Sequence, residues 1–229
     1  MGQQGIIMRR ILVLASIVLL TGSLAAFADE PPPSGAILNL NGLPIPSTAT
    51  LYSVDFTAAL SNTAITFAFR DDPAFISFSD ASLVDLTTSS GNLLLNGNFA
   101  LGTVNTSNVT DWTYANIYGA TFGGQLNTGC GYNGSNCWYD GAVGAYDAIS
   151  QTVATNVGNQ YQISFYLSEN SGNSTFLETD PTNSNAIDML AYAQAGLPSA
   201  ATPEPSSVAL LGTGLLALLW STRRRWVRG

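Results

Sequence analysis

The chain has no histidine and no lysine, and only two cysteines in 229 residues. Nucleophilic triads built on His or Lys are therefore excluded. Between residues 29 and 201 the single basic residue is Arg70, set against fourteen carboxylates, a net charge near −13. Such a surface repels nucleic acid and anionic lipid, so neither is expected as a partner. Long apolar runs are also missing from this stretch, since both lie at the chain ends. What fills the middle is Asn, Ser, Thr, Gly and aromatics with ample aliphatic residues, the composition of a folded β protein rather than an acidic disordered one.

Each end carries a recognisable order of features. Arg9 and Arg10 precede the apolar run Ile11 to Leu20, and Ala26-Phe27-Ala28 follows just before Asp29-Glu30. A basic start, an apolar core of about ten residues and a small-x-small site make a secretory signal peptide, with Ala26 and Ala28 marking cleavage after residue 28. At the other end Pro203-Glu204-Pro205 leads through Ser206-Ser207 into Val208 to Trp220, which stops at Arg223-Arg224-Arg225. As a helix rising ~1.5 Å per residue, that run covers about 20 Å of a hydrocarbon core ~30 Å thick. It suits transient insertion better than a lasting span. The arginines keep their end cytoplasmic, and the two prolines hold the tripeptide extended, a shape a peptidase binds. A plain tail anchor is the alternative. Tripeptide, spacer, short apolar run and basic stop together resemble the PEP-CTERM sorting signal of exported bacterial proteins. The resemblance implies an exosortase-type membrane peptidase as partner, and a cell-surface or extracellular destination after C-terminal processing.

Cys130 and Cys137 lie in a Gly-rich loop. In an exported chain two cysteines this close form a disulfide, closing an eight-residue loop for about 2–3 kcal/mol. Half a metal site is the competing reading, with no His or further Cys to complete it.

Alternation of polarity predicts strands at 51–56, 64–70, 75–80, 81–86, 148–154, 160–167 and 187–192. Asn96-Gly97 reads as a hairpin or bulge, and residues 101–146, punctuated by glycines, read as loop. The expected fold is an all-β antiparallel sandwich, jelly-roll-like, between an N-terminal signal helix and a short C-terminal transmembrane sorting helix. Its divisions are a signal peptide (1–28), an extended lead-in (29–50), the sandwich (51–196), a spacer with the Pro-Glu-Pro motif (197–205), and the hydrophobic segment with basic tail (206–229).

Asn92-Leu-Leu-Leu-Asn-Gly-Asn-Phe99 with Asp111-Trp112, then Ile149-Ser-Gln-Thr-Val153 with Gly158-x-x-Tyr161-Gln-Ile-Ser-Phe165, resemble the galactose-binding-like jelly-roll modules of exported bacterial proteins. The resemblance covers about 75 residues and implies fold rather than function. Such modules often hold a structural calcium through the Glu after the Phe. That position here is Ala100, which leaves Asp188 as an oxygen donor from the last strand. No cofactor is expected, with a structural calcium as the alternative. The strands before Asn92 either complete this sandwich in rearranged order or form a second, thin one; a single domain is favoured.

Two chemistries remain by residue type. Paired carboxylates, as glycosidases use, are available in Asp111, Asp140, Asp147 and Glu169, although carboxylates in a Gly-rich loop are ordinarily solvated. Aromatic faces beside polar groups suit sugar rings, and Trp138-Tyr139-Asp140 beside the cysteines is the best such cluster, with Tyr118 and Tyr132 nearby. Trp112 is expected in the core. These readings describe a non-enzymatic surface or extracellular-matrix protein contacting exopolysaccharide. A carbohydrate-binding module of defined specificity is the alternative, and a glycosidase a distant third.

Overall fold

The computed structural model describes residues 32–41, 43, 45–71, 74–116, 119–169 and 187–198. The signal peptide and the sorting segment, with Ala26, Ala28, Pro203, Glu204, Pro205 and Arg223 to Arg225, lie outside the described residues, as does Tyr118. Among the described residues no helix is long and apolar enough to cross a membrane.

Among the described residues ten strands form two antiparallel five-stranded sheets. They are β1 (Leu38–Asn39), β2 (Thr50–Thr57), β3 (Asn62–Asp71), β4 (Ile76–Asp85), β5 (Thr113–Ala115), β6 (Gln125–Asn127), β7 (Cys137–Asp140), β8 (Asp147–Ala154), β9 (Gln160–Glu169) and β10 (Ile187–Gln194). Sheet A runs β1-β10-β3-β8-β5 and sheet B runs β2-β9-β4-β7-β6. Strands from before Asn92 pair with strands from after it in both sheets, so the early strands complete the later ones in one sandwich. The lead-in is not merely extended, because Leu38 and Asn39 pair with Ala191 and Leu190 of β10.

The period-two rule for strands accounts for the core. On β9, Tyr161, Ile163, Phe165 and Leu167 are buried while the residues between them are half-buried. Phe67 of β3, Phe78 of β4 and Phe165 of β9 meet across the interior, with ring centroids 4.6–5.6 Å apart. Segments 75–80 and 81–86 form the single strand β4, broken in register between Ser79 and Ser82. The Asn96-Gly97 signal marks a turn docked on that break, with Ala81 N–H donating to Gly97 O at 2.9 Å. A Cβ on Gly97 would collide with Ala81 O, so only glycine allows the approach.

The segments that carry the jelly-roll resemblance have structural work in common. Asn96 accepts from Leu101 N–H and donates to Leu101 O and Thr110 O, closing the loop on itself. Phe99 is fully buried against Trp112 and holds a left-handed backbone, φ 54°. Gln151 binds Leu95 N–H and O and donates to Asp111 O, pinning the loop to β8. The Tyr161 hydroxyl accepts from Asn156 N–H, fixing the turn between β8 and β9. The all-β sandwich is compatible with a jelly-roll-like module.

Candidate functional site

The loop-heavy reading of 101–146 is corrected by three short strands, β5, β6 and β7, which extend both sheets. Along β7 neighbouring side chains face opposite ways. Trp138 opposes Phe78, a core residue, and so points inward, whereas Tyr139 opposes Ser77 and points outward. Trp138 and Asp140 are both 0% exposed. A side chain without exposed surface cannot stack on or hydrogen-bond a sugar, so Trp138 and Asp140 drop out of the proposed glycan cluster. Tyr139 remains.

On the outer face of sheet B, register aligns Gln125, Tyr139, Ser77 and Ser168 in one cross-strand row. Two residues along, the next row holds Asn127 paired with Cys137 and Ser79 paired with Tyr166. The disulfide Cys130–Cys137 is formed, with Cα atoms 5.4 Å apart. Its loop folds over the second row. Tyr132 N–H donates to Ser79 Oγ at 3.0 Å, Ser135 Oγ–H donates to Asp80 Oδ2 at 2.8 Å, and the Tyr132 ring stacks on Tyr166 at 3.8 Å. The disulfide therefore ties a lid to that row and leaves Tyr139 at the lid's edge.

Two depressions meet at Tyr139. One is an apolar slot of about 230 Å³ between Phe75, Phe122, Gly123, Gln125 and Tyr139. Phe75 lies parallel to Tyr139 at 4.8 Å, and Phe122 is 66% exposed. The other is a polar hollow of about 560 Å³, walled by Ser47, Asn127, Thr128, Ser168, Glu169 and the disulfide loop. Aromatic faces beside amide, hydroxyl and carboxylate groups are the usual furniture of a small-molecule site. Sequence reasoning missed Phe75 and Phe122 because neither sits near Tyr139 in the chain. Burial, followed by the charge of Asp71, raises the Tyr139 hydroxyl's pKa, so it is a neutral hydrogen-bonding group at pH 7.

Beneath the slot, inside the sandwich, lie the two carboxylates that sequence placed in a solvated loop. Asp147 opposes Phe69 on sheet A and Asp140 opposes Ile76 on sheet B, so both point into the interior. Both are 0% exposed. Asp140 Oδ2 accepts from Trp138 Nε1–H at 2.8 Å and Oδ1 from Ala142 N–H at 2.9 Å. Asp147 Oδ2 accepts from Gly124 N–H at 2.9 Å, and the Tyr114 hydroxyl also bonds Asp147. Burial, then the charge of Asp140, pushes the Asp147 pKa up to about 9, while burial likewise raises that of Asp140. Tyr114 is pushed up by burial and by the same carboxylates.

Asp111 lies elsewhere, on the exposed loop before β5, and Glu169 lines the polar hollow. Ala100 is exposed and brings no carboxylate to its turn, where Asn98 Oδ1 accepts from Ala100 N–H. Among the described residues no group of three or more Asp, Glu, Cys or His side chains gathers to hold a metal. The side chain of Asp188 lies outside the described residues.

Compared with protein-family models, the chain matches the PEP-CTERM protein-sorting motif over residues 201–225. That span contains Pro203, Glu204, Pro205 and the three arginines. The chain thus carries an exosortase sorting signal, which implies export and a surface or extracellular location in a bacterium. No curated protein and no solved structure matches it.

Proposed function

We propose that the protein is a non-catalytic component of the bacterial cell surface or extracellular matrix, delivered by its signal peptide, trimmed at its sorting signal, and contacting exopolysaccharide through the slot at Tyr139. The observation that carries the glycan reading is the parallel Phe75–Tyr139 pair with exposed Phe122, set beside a polar hollow on the same sheet face. A pyranose ring lays its apolar face on aromatic carbons while its hydroxyls bond Gln125, Asn127 or Ser168. The net charge near −13 between residues 29 and 201 disfavours anionic polymers and selects a neutral polysaccharide.

Binding rather than hydrolysis is favoured by where the carboxylates lie. Asp140 and Asp147 face each other from opposite sheets with no exposed surface, whereas glycoside hydrolysis needs two carboxyls flanking an accessible bond.

The test is a binding isotherm of the processed protein against the neutral exopolysaccharide of its own host. Phe122→Ala removes an exposed ring and should leave the fold intact while weakening binding about tenfold, the equivalent of ~1.4 kcal/mol. Saturable binding confined to one sugar type would make this a carbohydrate-binding module of defined specificity. Binding unaffected by Phe122→Ala and Phe75→Ala would remove the slot from the account.

A further inference from the structure

The buried carboxylates are one proton short, and this can be counted from geometry. Three of the four carboxylate oxygens receive donors, from Trp138, Ala142 and Gly124. The fourth, Asp147 Oδ1, is buried and receives no N–H or O–H. The Asp147 carboxyl interacts with that of Asp140, an acceptor until one of the two is protonated. Two bare carboxylates facing each other in a dry interior repel strongly. A cation suits the site poorly, because the groups already aimed at these oxygens are themselves N–H and O–H donors, whose hydrogens would face it.

We propose that Asp147 and Asp140 share a single proton in the folded protein, carried on Asp147 Oδ1 and donated to Asp140, and that this bond is a pH-sensitive latch between the two sheets beneath the aromatic slot. Asp147 belongs to sheet A and Asp140 to sheet B. The chain that rests on the pair is Gly123–Gly124, where an added Cβ would collide with the Tyr114 hydroxyl at one glycine and with Trp138 and Asp140 at the other. Its neighbours Phe122 and Gln125 wall the slot. Losing the proton sets two charges against each other under that wall and spreads it, so the slot loosens in alkaline conditions.

The surrounding charged and titratable groups are few. β5 contributes Tyr114, which stays neutral because its pKa is raised. β3 contributes Asp71, on the same inward face as Phe69, where Oδ1 accepts from Ala74 N–H. Arg70 follows the opposite face of β3, across from position 188 in register. Glu169 of β9 lies in register with Ile76, which in turn pairs with Asp140.

The sign of the pH effect follows. A folded-state pKa above the unfolded one gives stability that is full below the unfolded value, 3.8, and is lost as pH rises through the folded value near 9. Across that window each pH unit should raise the unfolding equilibrium constant about tenfold per linked proton.

The experiment measures urea unfolding of the full-length protein from pH 5 to pH 9. The wild type should lose stability steadily. Asp147→Asn, whose amide replaces the shared proton with a permanent donor toward Asp140, should flatten the slope by about one proton and be the more stable protein at pH 8. Asp140→Asn should be destabilised, because its amide must point at a donor, either Trp138 Nε1–H or Ala142 N–H. Equal damage in the two variants, or an unchanged slope in Asp147→Asn, overturns the proposal. Should either variant fail to fold, infrared titration of the wild type decides. A protonated carboxylic acid band at pH 7 that vanishes near pH 9 supports the latch, and its absence at pH 7 refutes it. Calcium should leave the unfolding midpoint unmoved; a calcium-dependent rise abolished by Asp147→Asn would put a cation where the proton is proposed.

Discussion

Replacing Trp138 separates the interior of this protein from its surface. The indole is fully buried, its ring 5.7 Å from that of Tyr114, and its Nε1–H bonds Asp140 at 2.8 Å. A buried Trp removes roughly 200 Å² from water, worth about 5 kcal/mol at ~25 cal/mol per Å², in line with the ~3–5 kcal/mol usual for Trp→Ala in a core. Removing the donor leaves a buried carboxyl oxygen unsatisfied, which costs about 1–3 kcal/mol more. Against a total stability of about 5–15 kcal/mol, Trp138→Ala should sit at the edge of unfolding at 25 °C. Trp138→Phe keeps most of the apolar contact and isolates the lost hydrogen bond. It should cost about 2–4 kcal/mol, part of which is the smaller ring's cavity. Urea unfolding followed by far-UV circular dichroism reads both. A Trp138→Ala protein with a wild-type midpoint would refute the burial of this residue and return it to the glycan surface. It would also show that Tyr139, one residue on, does not alone carry the outward face of β7.

Reduction of Cys130–Cys137, or its replacement by a pair of serines, should lower stability by about 2–3 kcal/mol. It should also release the Tyr132 ring from Tyr166, seen as increased quenching of tyrosine fluorescence by added iodide; an unchanged midpoint and unchanged quenching would mean the loop holds its place without the bond. Gln151→Ala removes three hydrogen bonds to backbone groups of Leu95 and Asp111, and should cost about 1–3 kcal/mol. Its amide-exchange signature should be local to 92–112, so uniform loss of protection across both sheets would count against the pinning role.

The strands that the sequence reveals are those long enough to show their alternation. β2, β3, β8, β9 and β10 each run eight residues or more. β5, β6 and β7 run three or four residues among glycines, too short for a period to stand out. The same rule nevertheless reaches them once one residue is anchored. With Trp138 inward, Asp140 two positions on must also point inward, and Ile149 places Asp147 inward in the same way. Residue type argued against this, since carboxylates beside glycines are ordinarily solvated. What overrode it was a set of donors: Trp138 and Ala142, each two residues from Asp140, and Gly124 and Tyr114, which reach Asp147 from parts of the chain that no local pattern connects to it. The slot was hidden for a similar reason, because Phe75 and Phe122 reach Tyr139 only where β4 and β6, the strands that follow them, pair with β7. The jelly-roll signature, by contrast, is legible because its residues form two compact patterns, Asn96-Gly97-Asn98-Phe99 and Gln151 with Tyr161, even though Gln151 meets Leu95 across 56 residues.

The sorting signal requires that the sandwich be released from the membrane outside the cell. The most direct measurement is the intact mass of the protein recovered from the surface and medium of a host with an active exosortase, beside a Glu204→Ala variant. The wild-type chain should begin at Asp29, lack the arginine-ended tail and retain the disulfide, while the variant should keep its tail and stay with the membrane. A wild-type protein recovered with residues 206–229 intact, or a variant processed like the wild type, would contradict release at the sorting signal.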